Sequence, residues 1–181
     1  MSNFFLFGEN DTPEDVYKLY KKVVNNNFDI SYIIEIEKAK KSYSDRAELY
    51  AIASNIYKLS NSYEEAIWNI SKSIEINNNN ATYYSSRGVV LFSVGLFYEA
   101  LDDFDEIIDN STLSNREYFL NDAYQNRLLI YCCIGYWDKA KENIKYLDES
   151  YVYYIKSISG KIDKQRVEEA INEKSYLCQQ E

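Results

Sequence analysis

The sequence predicts an all-α fold, a solenoid of antiparallel helix pairs, from three observations. Segments beginning at Ala47, Ala81 and Asn121 repeat one another, the first two 34 residues apart, and a fixed period of that length marks stacked supersecondary units. Aromatic and small residues return at matching positions of each segment, as closely crossing helices require. Helix-start signatures fall where the repeat places the helices.

Residues 1–12 form an arm whose Phe4-Phe5-Leu6-Phe7 run is apolar. Thr12-Pro13-Glu14-Asp15 then starts a helix, with Pro in the first turn and acids beside the positive end of the helix dipole. Residues 13–46 read as a degenerate unit: Val16, Tyr20 and Val23 line one helix, Ile33, Ile36, Ala39 and Lys40 mark a second, and Asn25-Asn26-Asn27 separates them.

Clearer units follow at 47–80, 81–114 and 115–150. Tyr50, Tyr84 and Tyr124 hold one aromatic position, and Tyr57, Leu91 and Tyr131 a second. Ser54 and Gly88 supply a small residue where the third unit has Leu128. Loops ending on Tyr63, Phe97 and Trp137 lead to Ala66, Ala100 and Ala140, and then to the large apolar Ile70, Phe104 and Ile144. Ser62 with Glu65, and Ser114 with Glu117, have capping-box spacing. The spacing stretches to 40 before the third unit, which predicts a long first helix over 115–134 with Tyr118 and Phe119 projecting from the stack. A short helix over about 151–159, a loop over 160–164 and a last helix over about 165–178 should cap the solenoid, with Val167, Ala170, Ile171 and Leu177 as its apolar stripe.

The pattern of aromatics, Gly and Ala over 34 residues resembles the tetratricopeptide repeat. It departs from that family in lacking the terminal Pro; Asn78 and Thr112 stand at its place, so Asn and Ser should set the turns between units. The resemblance implies that the second, fifth, sixth and ninth positions of each first helix line a concave groove. The candidate partner-binding residues are then Tyr17, Lys21, Ile52, Asn55, Ser86, Val89, Gln125, Asn126 and Leu129. Such a lining of small polar and apolar groups suits a peptide or helix of another protein. The carboxylate clamp of the family's heat-shock co-chaperones is not implied: Asn55 matches it, but Ala51, Asp122 and Asn126 replace its cationic residues.

Composition narrows the function. The chain carries 29 Asp and Glu against 20 Lys and Arg, a net charge of −9, the wrong sign for neutralising phosphates, so nucleic acid is not expected. No apolar run reaches the roughly 20 residues of a membrane span, and Met1–Asn10 lacks the features of a secretory signal. The absence of His removes the commonest general base and metal ligand. Ser, Cys and Tyr have no base to activate them and no Gly-rich turn beside them. Neither catalysis, cofactor nor metal is expected.

Asp102, Asp105, Glu106 and Asp109 recur at helical spacing and suit a solvated face, which could steer a basic partner. Three Cys fit a reducing compartment, hence the cytoplasm, with at least one of them a core hydrophobe. The expected function is a non-catalytic adaptor or chaperone-like module that binds another protein or peptide in its groove. The alternative is a self-associating structural protein, a homodimer through the N-terminal arm.

Overall fold

In a computed structural model the described residues are 12–147, 152–153, 162–175 and 177. The Phe4–Phe7 arm lies outside them. The described residues are all-α apart from one two-residue antiparallel ladder. None of their helices is long and apolar enough to cross a membrane. Where the sequence suggests one continuous stack from residue 13, the chain divides into two compact units, 1–87 and 88–181.

The first unit holds α1 (Glu14–Asn25), a 3₁₀ turn (Ile30–Tyr32), α2 (Ile33–Ser42), α3 (Ala47–Leu59), α4 (Tyr63–Ile76) and the start of α5 (Ala81–Ser93). Pro13 is the N-cap of α1, with Glu14 and Asp15 in the first turn and Lys22 in the last, as the helix dipole favours. Val16, Val23 and Ile36 are buried with most of α3 in a core that also takes Ile70 and Tyr83. α3 is apolar nearly all round and is correspondingly buried on all sides.

The second unit holds the rest of α5, α6 (Phe97–Asp109), α7 (Arg116–Ile134), α8 (Trp137–Asn143), a 3₁₀ turn (Ile144–Tyr146), β1 (Val152–Tyr153), β2 (Ile162–Asp163) and α9 (Lys164–Glu173). The long helix expected over 115–134 is α7, begun one residue later. α8 runs only seven residues before tightening into 3₁₀ geometry, in the repeat where Leu128 takes the place of a small residue.

One turn recurs. Asn61, Gly95 and Gly135, each third in its loop, have φ of 62°, 83° and 78°, the left-handed region that Gly and Asn enter most readily. Around them the amides of Ser62, Leu96 and Tyr136 donate to the carbonyls of Tyr57, Leu91 and Tyr131 at 2.9, 3.0 and 2.8 Å. That bond closes the preceding helix as a Schellman-type cap. The carbonyls of the same three residues then accept from Ala66, Ala100 and Ala140 to begin the next helix. Residues 23–28 of the degenerate unit form the same cap, with Phe28 N–H on the Val23 carbonyl at 3.0 Å and Asn27 at φ 53°. A second left-handed residue, Phe28, follows, and the chain leaves the pattern there.

Two local expectations are corrected. Ser62 is the N-cap of α4 but makes no side-chain capping bond, and Asn115 rather than Ser114 is the N-cap of α7, also without one. Starts inside tight turns have their amides satisfied by backbone carbonyls, so the box is not needed. The helix expected over 151–159 is extended at its described residues: Val152 pairs with Asp163 and Tyr153 with Ile162, and the remainder lies outside the described residues. α9 begins at Lys164, where the Asp163 side chain accepts from Arg166 N–H at 3.0 Å. It packs on α7 and α8 through a face that buries Val167 and Ala170.

Candidate interaction surface

The contacts that join successive helices keep the register of the repeat. The Tyr50 hydroxyl donates to the Ser44 carbonyl at 3.4 Å and the Tyr84 hydroxyl to the Asn78 carbonyl at 3.2 Å, each reaching six residues back across the turn that enters its helix. Asn side chains shape these turns as expected: Asn77 Oδ1 accepts from Asn79 N–H, Asn80 Oδ1 from Thr82 N–H and Asn110 Oδ1 from Thr112 N–H. Within the first unit Arg87 Nη1 donates to Ser71 Oγ at 3.2 Å, and within the second Arg127 Nη1 donates to Asp105 Oδ1 at 2.9 Å. Both arginines are seventh in their segments, and both acceptors lie five residues after a repeat Ala.

Of the candidate groove residues in the first unit, Tyr17 and Lys21 lie on the solvent face of α1, with Lys21 Nζ 4.6 Å above the Tyr17 ring. Asn55 and Ser86 are half-buried. Ile52 is 0% exposed and belongs to the core, as does Ala51 beside it. In the second unit Val89 is half-buried, whereas Gln125, Asn126 and Leu129 are buried. Gln125 Nε2 donates to the Tyr146 carbonyl at 3.2 Å, and Asn126 Nδ2 to the Asp122 carbonyl at 2.8 Å. Asn126 Oδ1 is sealed from water without a hydrogen-bond partner, an unsatisfied acceptor of the kind that calls for a physical account. The accessible part of the candidate set is therefore Tyr17, Lys21, Asn55, Ser86 and Val89. Desolvation raises the pKa of the nearby Asp122 carboxyl.

Two cation nests escaped the sequence reading. In the first unit Lys40, only 7% exposed, donates to Glu37 Oε1 at 2.7 Å and Asn69 Oδ1 at 2.8 Å, 4.6 Å from the Tyr50 ring and 5.5 Å from that of Trp68. In the second, Arg127 donates to Asp105 and, at 2.9 Å, to Asn143 Oδ1, with the Tyr124 ring 5.2 Å away. Asn69 and Asn143 both stand three residues after a repeat Ala, and each anchors its amide on the carbonyl four residues back. A buried polar residue at a repeated position was the available signal. Trp68, 60% exposed beside the Lys40 nest, is the largest aromatic surface missed; it stands off the apolar stripe, two residues past Ala66. In the second unit Leu96, Tyr98 and Tyr136 are also exposed, and a hydrogen bond to Tyr136 raises the Tyr98 pKa.

A cleft of about 360 Å³ between α1 and α2 is lined by Val16, Leu19, Ala39 and Tyr43. Two of its carboxylates are engaged: the Tyr43 hydroxyl donates to Asp15 at 2.9 Å, and Lys22 bonds Glu35 at 2.8 Å. The expected acidic stripe is partly engaged too, since Asp105 pairs with Arg127 and Glu106 Oε1 accepts from Asn110 Nδ2 at 2.7 Å. Asp102 and Asp109 are exposed, and Asp103 lies in the core. Among the described residues no group of three His, Cys, Asp or Glu is arranged to hold a metal. Cys132 is a buried free thiol, whereas Cys133 is disulfide-bonded, contrary to the fully reduced state expected. Tyr118 is exposed and meets Phe119 edge-on at 5.2 Å. No family model matches the chain, nor does any curated protein or solved structure.

Proposed function

We propose that the chain is a tetratricopeptide-like α-solenoid that works as a non-catalytic adaptor, holding a peptide or helix of another protein against the first helices of its repeats. The observation that carries this reading is the recurrence of one left-handed turn, with the same pair of backbone bonds, at Asn61, Gly95 and Gly135. Identical turns make these hairpins equivalent, so each unit offers matching positions on its first helices, and repeated side chains of this kind suit an extended ligand. The accessible candidates are Tyr17, Lys21, Asn55 and Ser86 in the first unit and Val89 in the second. Tyr17 with its overlying Lys21 supplies an aromatic and cationic anchor of the kind enriched at binding hot spots. Cytoplasmic residence, expected from the cysteine count, sits poorly with a bonded Cys133.

A random peptide display library selected on the full chain tests the proposal. Enriched peptides should bind Val89→Glu and the Tyr17→Ala, Lys21→Ala pair at least ~10-fold more weakly, with helical circular dichroism unchanged. Selection that enriches nothing, or peptides indifferent to these changes, would overturn it.

A further inference from the structure

The cleft between α1 and α2 belongs to the first unit and is not part of the candidate groove. Its α1 residues, Asp15, Val16 and Leu19, centre on the side of the helix away from Tyr17 and Lys21. Its volume of about 360 Å³ lies at the small end of the range that ligand pockets occupy. Val16, only 1% exposed, Leu19 and Ala39 give it an apolar lining.

The polar part of the lining is unevenly satisfied. The Tyr43 hydroxyl donates to Asp15 Oδ2 at 2.9 Å, and that bond raises the Tyr43 pKa, so the donor keeps its proton at neutral pH. Lys22 Nζ bonds both oxygens of Glu35, at 2.8 and 3.0 Å. Glu35 stands three residues before Lys38 on α2 and is the carboxylate that helical spacing offers it. With Glu35 taken by Lys22, the exposed Lys38 ammonium has no hydrogen bond or ion pair among the described residues, whereas Lys18, Lys40 and Lys72 each meet a Glu of their own helix. Ser42, one turn after Lys38 on the same face of α2, also lines the cleft, and its hydroxyl is likewise unbonded. A cation and a hydroxyl without acceptors beside an apolar cleft complement an anionic group carried on an apolar chain.

We propose that this cleft binds a medium-chain aliphatic carboxylate of about eight carbons, its chain against Val16, Leu19 and Ala39 and its carboxylate at Lys38 and Ser42. Most of the affinity comes from removing the chain from water, about fourfold in Kd for each fully buried methylene. The charge contact at the exposed edge contributes at most about fivefold, as surface ion pairs do, and so sets orientation and selectivity. The site shares no residue with the peptide-binding positions of the first helices, and either can fail alone.

The test titrates the isotope-labelled full chain with sodium octanoate below its micelle concentration and follows amide shifts. Saturable shifts should fall on α1 and α2, and hexanoate should bind at least ~4-fold more weakly than octanoate. Octylammonium should bind ~3-fold more weakly than octanoate, and Lys38→Glu, a change at an exposed site, should reverse that order. Ala39→Phe fills the cleft and should weaken both ligands at least ~5-fold with helical circular dichroism unchanged. Val89→Glu should bind octanoate as the unaltered chain does. Preference of the unaltered chain for octylammonium would give the charge selection to Asp15, and tight binding of N-acetyl-leucyl-leucine would give the cleft to the end of a polypeptide. Either result, an order unmoved by Lys38→Glu, octanoate binding that arises only once residues 1–11 are removed, or shifts spread over other helices would overturn the proposal.

Discussion

Tyr83 carries the sharpest conflict between polarity and burial among the described side chains. It is fully buried in the first unit, and its hydroxyl has no well-formed hydrogen bond. Burial, with the Glu48 charge second, raises its pKa, and the smaller opposing influence of the Asn80 side chain does not offset this. Tyr83→Phe removes the unsatisfied group and keeps the ring, so it should raise stability by about 1 kcal/mol in urea unfolding. Asp122 differs in being exposed by surface area, yet the atoms packed around it desolvate its carboxyl enough to raise the pKa above the ordinary 3.8. The folded chain therefore holds that proton more tightly than the unfolded one, and the carboxyl's contribution declines as pH rises through the folded value. The stability advantage of Asp122→Asn should be smallest below pH 3.8 and should widen as pH climbs from there to neutrality, a trend that paired pH melts can read. Residues such as these were hard to judge from the sequence. Lys40 reads as part of the marked face of its helix with Ile36 and Ala39, but Asn69, Glu37 and the two rings that enclose it are brought together only by tertiary packing.

Helices and turns follow local chemistry more closely. The repeated loops were legible because Asn and Gly stand where the backbone turns left-handed, and the long α7 because the repeat stretches there. At the centre of one hairpin, a Cβ added to Gly88 would lie 2.9 Å from Cζ of the fully buried Phe104. Gly88→Ala gains about 1 kcal/mol of helix propensity but should still destabilise, by about 1–2 kcal/mol net, because the ring has nowhere to move. Adding Phe104→Leu should recover most of that loss, since Ser54 with Ile70 already fills the same two positions one repeat earlier; a double-mutant cycle measures the coupling. At the end of α9, Lys174 sits at φ 52° as an exposed C-cap. Lys174→Gly should raise stability by about 1 kcal/mol by removing the left-handed penalty, read as slower amide exchange in 164–173. What local rules missed is the ladder of 152–153 with 162–163, where two-residue strands are too short to leave an alternating pattern.

For the whole molecule, the repeat carried the all-α class and the order of the helix pairs, while which groove positions remain open was out of its reach. The analogy placed Ile52 and Leu129 on an open trough, yet each is 0% exposed within its own unit. α3 and α7 are apolar beyond one stripe, and a helix covered on several sides shows no single solvent face from which to read its surroundings. The division at residue 87 was equally hidden, because it falls inside α5, between Arg87 and Gly88, where the repeat continues uninterrupted. The proposed ligand capture by the first helices of equivalent hairpins is tested most directly by an amide chemical-shift map of the isotope-labelled full chain, titrated with a peptide selected on it. The largest shifts should fall on the first helices, at 14–21, 48–55 and 82–89; shifts confined to α4, α6, α8 and α9 would contradict it.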